Sequence, residues 1–88
     1  MDAAAIQQQI VEFLVTTTGQ TALHGDTVLE SAGLIDSLAM MDLLVFFEGE
    51  FGVRLEFEDL TPDVFHSPAT IARLIESRIE TARVKQAA

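Results

Sequence analysis

The chain has 88 residues with 14 Asp and Glu against 5 Lys and Arg, a formal net charge of −9, 49% hydrophobic residues, and neither cysteine nor tryptophan. That length fits one small domain, which buries about two thirds of its unfolded surface and leaves little room for a deep catalytic cleft. The acidity argues against binding nucleic acid or an anionic membrane, since phosphate recognition depends on clustered Lys and Arg, and the missing thiols remove disulfides and Cys-based zinc sites.

The start, Met1-Asp2-Ala3, lacks a basic stretch, and the longest apolar run near the middle is Leu43-Leu44-Val45-Phe46-Phe47. Neither a signal peptide nor a membrane span is expected, and the chain reads as cytoplasmic. Ile6, Ile10, Phe13 and Leu14 recur at i, i+4, i+7 and i+8, which predicts an amphipathic helix over about residues 3–17 that ends before Gly19, a residue suited to a left-handed cap. From Gly19 to Asp36 the chain reads as a long loop with turn-like Gly25-Asp26-Thr27 and Ser31-Ala32-Gly33 and apolar anchors at Val28, Leu29, Leu34 and Ile35. Long loops inside small domains usually serve function.

A second helix is expected from about Ser37 to Phe51, capped by Asp36 or Ser37 and stopped by Gly52. Val53-Arg54-Leu55-Glu56-Phe57 alternates like a strand but has no pairing partner, and reads as an extended connector. Thr61-Pro62 and Ser67-Pro68 each set a capping residue before proline, the favoured helix entry. The first pair starts a short helix to about His66. The second starts a helix to about Arg83, with Ile71, Leu74, Ile75, Ile79 and Ala82 as its apolar stripe. A single all-α domain over residues 1–84 follows, with three long helices, one short helix, a long first loop and a frayed tail at 85–88.

The second helix is apolar on two faces. At about 100° per residue, Met40, Leu43, Leu44, Phe47 and Phe51 form one stripe broad enough for the core. Leu38, Met41 and Val45 fall on another face with Glu48, flanked by Asp42 and Gly49, with Asp36 at its N-terminal end. Such a strip is either covered by a second core element or is a docking surface rimmed by acids. The acids are unevenly spread: residues 1–65 hold 12 acids and only Arg54 as a base, and residues 66–88 hold two acids and four bases. This placement suits a basic partner.

The run Asp26-Thr27-Val28-Leu29-Glu30-Ser31-Ala32-Gly33-Leu34-Ile35-Asp36-Ser37-Leu38 resembles the signature of acyl and peptidyl carrier proteins. Their Asp-Ser-Leu serine receives a phosphopantetheine arm from coenzyme A. The context agrees over about residues 4–80: a Gly three residues before the Asp, Glu50-Phe51-Gly52-Val53 closing the following helix, a short helix after Pro62, and Phe65-His66-Ser67-Pro68-Ala69-Thr70-Ile71 opening the last one. The resemblance implies a four-helix carrier bundle and a covalent 4'-phosphopantetheine on Ser37. It implies a carrier with no catalysis of its own, acting as a monomer with a phosphopantetheinyl transferase, a loading ligase or acyltransferase, and downstream synthase or tailoring enzymes. Carried over to this chain, Asp36, Leu38, Met41, Asp42, Val45 and Glu48 match the family's docking positions.

The residues themselves accord with that role. Ser37 stands where a loop meets a helix N-terminus, whose dipole favours a phosphodiester. A serine nucleophile needs a positioned base. His24 and His66 are isolated, and Glu56, Glu58 and Asp59 lie on a connector without metal-ligand spacing, so the resemblance implies that the transferase supplies base and magnesium. Ala39 and Gly49 stand where many fatty-acid carriers have acids, and Phe46, Phe47, Phe51, Phe57 and Phe65 make the core bulky. These departures favour a carrier of specialised, polyketide-like or nonribosomal-peptide-like metabolism, or an aminoacyl carrier of the D-alanine type, over a fatty-acid carrier. A cofactor-free acidic module that binds a basic protein surface is the alternative outside the family.

Overall fold

The computed structural model describes residues 2–34 and 38–87, with the side chains of Ala39, Phe57 and residues 83–87 excepted. The order is α1 (Ala3–Thr18), α2 (Leu38–Phe51), a 3-10 turn (Phe57–Asp59), a second 3-10 turn (Val64–His66) and α3 (Pro68–Ala87). Among the described residues there is no strand. The all-helical bundle is as expected, and its fourth, short helix is a single 3-10 turn.

At four helix ends, local chemistry satisfies free backbone groups. Asp2 accepts from the Ala5 N–H at 2.9 Å and caps α1, while Gly19, at φ 77°, closes it. Gly52 closes α2 at φ 66°, its N–H donating to the Glu48 carbonyl at 3.1 Å. Ser67 and Thr70 cap α3 reciprocally: the Thr70 N–H donates to Ser67 Oγ at 3.3 Å, and the Ser67 N–H to Thr70 Oγ1 at 3.0 Å. The helix runs on to Ala87, past the expected end at Arg83. Good helix formers such as Arg83, Lys85 and Gln86, with no Gly or Pro among them, permit that extension.

The core is Ile6, Ile10 and Leu14 of α1, Leu43 and Phe47 of α2, and Ile71, Ala72 and Ile75 of α3, sealed by Leu23, Leu29, Leu34, Val53 and Phe65. Met40, Leu44, Phe51 and Ile79 are partly buried against it. Phe13 is partly buried too, because it stacks on Phe46 at 4.4 Å between ring centroids at the α1–α2 seam. Ala82 departs from the expected stripe and is exposed, since the apolar packing on α3 ends at Ile79.

Two contacts distant in sequence hold α3 in place. The Ala3 N–H donates to Glu76 Oε2 at 2.8 Å, and Arg78 forms a two-pronged ion pair with Asp59, its Nη1 donating to Oδ2 at 2.9 Å. The second contact clamps the connector after α2. Val53–Glu56 has no regular structure, as expected, but Phe57–Asp59 winds into a 3-10 turn that the alternating pattern concealed.

Candidate functional site

The long loop is folded down over most of its length. His24 and Thr27 make a closed turn, the His24 N–H donating to Thr27 Oγ1 at 2.9 Å and the Thr27 N–H to the His24 carbonyl at 3.2 Å. Two backbone bonds then stitch the loop to the far end of the chain. The Leu29 N–H donates to the His66 carbonyl, and the Ala69 N–H, one of the donors left free at the start of α3, donates to the Gly25 carbonyl, both at 2.9 Å. Leu29 and Leu34 are buried beneath this seam, whereas Val28, expected as an anchor with them, is 36% exposed. Gly33 turns the chain at φ 75°, which lets the Leu34 N–H reach the Leu29 carbonyl at 2.9 Å.

The fourth expected anchor, Ile35, one expected docking position, Asp36, and the expected attachment residue, Ser37, lie outside the described residues. In the sequence Ser37 falls between Leu34, which is buried, and Leu38, where α2 starts. The first turn of α2 carries no acid. Its free N–H groups therefore face no competing carboxylate from that turn, which suits a phosphodiester on the residue just before it.

Beyond that point the strip on α2 is open to solvent. Leu38, Met41 and Val45 are 82%, 62% and 71% exposed. Asp42 and Glu48 are exposed beside them, and among the described residues no second element covers the face. Five of the six expected docking positions thus form one surface at i, i+3, i+4, i+7 and i+10 spacing, an apolar strip with an acid on its flank and another at its end.

A cleft of about 330 Å³ that sequence reasoning did not locate opens beside this helix. Val28 and Glu30 of the loop, Met40 of α2, Leu60, Thr61 and Pro62 of the connector, and Phe65 and His66 of the second 3-10 turn line it. Its walls come from segments with no shared periodicity, so no pattern in the sequence marks it. His66 belongs to this wall, and His24 sits in the loop turn with its Nδ1 accepting from the Asp26 N–H at 3.1 Å. Among the described residues no three His, Asp or Glu side chains gather as a metal site would require.

Asp59 on the connector has a displaced acidity. The Arg78 guanidinium, and after it the Glu56 N–H, holds its carboxyl below the usual carboxylate value. This is a structural clamp and lies apart from the cleft lining.

With this geometry in hand, the chain matches the family described as phosphopantetheine attachment site over residues 8–75. It is 32% identical over 74 residues to the D-alanyl carrier protein of Enterococcus faecalis, covering 82% of this chain and 95% of that protein. It is 29% identical over 77 residues to the D-alanyl carrier protein of Leuconostoc citreum, and 30% identical over 76 residues to that of Leuconostoc mesenteroides. These alignments cover 85% and 84% of this chain, and 97% and 96% of the relatives. No solved structure matches. The chain belongs to the phosphopantetheine-bearing family of acyl and peptidyl carrier proteins, and its cofactor is covalently attached 4'-phosphopantetheine. Such carriers work with phosphopantetheinyl transferases and with ligases or acyltransferases. The relatives' names give no support to the expected polyketide-like or nonribosomal-peptide-like metabolism.

Proposed function

We propose that this protein is an aminoacyl carrier of the D-alanyl type, with Ser37 as the attachment residue and no catalytic activity of its own. The observation that carries the reading is the alignment with D-alanyl carrier proteins over more than four fifths of this chain and nearly their whole length. Its neighbours in the sequence support Ser37: the pinned loop ends at Leu34, and the acid-free first turn of α2, which begins the exposed strip, starts at Leu38. In the modification the Ser37 hydroxyl attacks the phosphorus that bears pantetheine in coenzyme A. A phosphodiester forms, adenosine bisphosphate leaves, and the serine proton passes to a base on the transferase. The arm's thiol then carries the cargo as a thioester.

Leu38, Met41, Asp42, Val45 and Glu48, with Asp36, serve as the surface met by the transferase and by a loading ligase with basic rims. The carrier works as a cytoplasmic monomer. The test is intact mass after incubation with coenzyme A, magnesium and a phosphopantetheinyl transferase of broad specificity, followed by D-alanine, ATP and a D-alanine-activating ligase. One phosphopantetheine and then one alanyl group should be added, and Ser37→Ala should abolish both additions. An unmodified chain under conditions that load a control carrier would overturn the attachment assignment, and an arm that refuses D-alanine would overturn the cargo.

A further inference from the structure

The cleft beside α2 differs from a plain apolar pocket in the placement of one carboxylate. Val28, Met40, Leu60, Pro62 and Phe65 supply an apolar wall, and Glu30 stands on the loop side of the same opening. Glu30 is exposed and forms no ion pair with a base among the described residues. Met40 lies three positions after Ser37 in sequence, so the lining of the cleft includes the first turn of α2, which follows the residue that would bear a flexible arm.

A cargo entering such a cleft meets two demands. Its apolar atoms are favoured against Val28 and Met40, and whatever group comes to rest beside Glu30 is favoured if it is cationic and penalised if it displaces water from the carboxylate with hydrocarbon. A simple acyl thioester satisfies only the first. A short aminoacyl thioester satisfies both, with its side-chain methyl toward the apolar wall and its α-ammonium toward the carboxylate.

We propose that Glu30 is a specificity-determining residue, holding the α-ammonium of a short aminoacyl thioester folded back into the cleft lined by Val28, Met40, Leu60 and Phe65. This rests on the aminoacyl reading above and deepens it. Tethering makes the contact possible, since a group on a short flexible linker experiences an effective concentration of about millimolar at a nearby site. The ion pair is open to solvent, so it changes occupancy of the cleft by up to about fivefold.

The experiment compares two cargoes that differ by one amino group. The full-length chain is loaded on Ser37 with D-alanyl- or propionyl-phosphopantetheine from the matching coenzyme A thioester, in the native sequence and in Glu30→Gln. Methyl resonances of Val28, Met40 and Leu60 are then compared with the unloaded holo form. The D-alanyl group should shift these methyls several-fold more than the propionyl group. Glu30→Gln should reduce the D-alanyl shifts to the propionyl level and leave the propionyl shifts unchanged, and added salt should act in the same direction. Equal shifts from the two cargoes in the native chain, or D-alanyl shifts untouched by Glu30→Gln, would overturn the proposal, as would loaded arms that move no cleft methyl. Failure of Ser37 to take up either arm would instead strike at the attachment assignment, and refusal of D-alanine by the ligase at the cargo reading.

Discussion

Asp59 accepts from Arg78 through both carboxylate oxygens and from the Glu56 N–H at 2.8 Å, so one side chain fastens the connector to α3 and closes its own turn. The Arg78 contact is the main reason its carboxyl stays ionised to lower pH than usual, with the Glu56 N–H second. A carboxylate with a lowered folded-state pKa adds stability that is complete above its unfolded value of about 3.9 and is lost as pH falls through the folded value. Arg78 is 36% exposed, so solvent screening limits the pair to about 1 kcal/mol. Asp59→Asn should therefore destabilise the fold by about that amount at neutral pH, and urea titrations should show the gap closing as pH is lowered below the unfolded value of about 3.9 and through the folded one. A gap that stays constant on acidification would mean that the loss comes from the turn and not from the ion pair. The pair spans 19 positions between two segments of different pattern, and nothing in either predicts it. The Ser67–Thr70 cap was visible in part, because Ser67-Pro68 is a local signal that needs no tertiary contact.

Among the elements, α2 shows best what a sequence can and cannot decide. Its two apolar faces follow from helical spacing, but spacing does not say whether the second is covered. Only the packing settles that: Leu43 and Phe47 are buried, while Leu38, Met41 and Val45 stand in solvent. The long loop had the reverse history, since its anchors Leu29 and Leu34 were legible, but the backbone bonds to His66 and Ala69 that hold it were not. Neither was the cleft, which exists only because the connector folds back beside the loop. The exposed face also separates two roles by chemistry. Asp42 and Glu48 act at a distance and should govern encounter with a basic partner, whereas Leu38 and Met41 act only when water is expelled. Removing either acid should slow association with the loading ligase by about two- to fivefold with little change in dissociation. Leu38→Ala or Met41→Ala should speed dissociation by about tenfold and leave association nearly untouched. Stopped-flow binding resolves the two rates, and equal effects of both kinds of variant on both rates would remove the division.

For the molecule as a whole, a net charge of −9 is carried on a body of 42 × 24 × 20 Å. The Debye length is about 30 Å at 0.01 M salt, longer than the two short dimensions, and about 3 Å at 1 M. At low salt, acids on opposite sides of the bundle therefore repel one another, which destabilises the compact state while drawing in a basic enzyme from outside. Salt must act on these two properties in opposite directions. Raising it from about 0.01 to 0.5 M should lift the melting temperature by about 3–6 °C, equivalent to less than about 1 kcal/mol for a domain of this size, as the self-repulsion is screened. Over the same series the association rate with the ligase should fall steeply. The Asp59–Arg78 pair opposes the first trend because salt weakens it, so Asp59→Asn should gain more from salt than the native chain does. Thermal unfolding by circular dichroism across the series measures both responses. A melting temperature that stays flat or falls with salt would show that the acids of residues 1–65 are already neutralised by local contacts, and would leave the charge without the long reach that partner attraction requires.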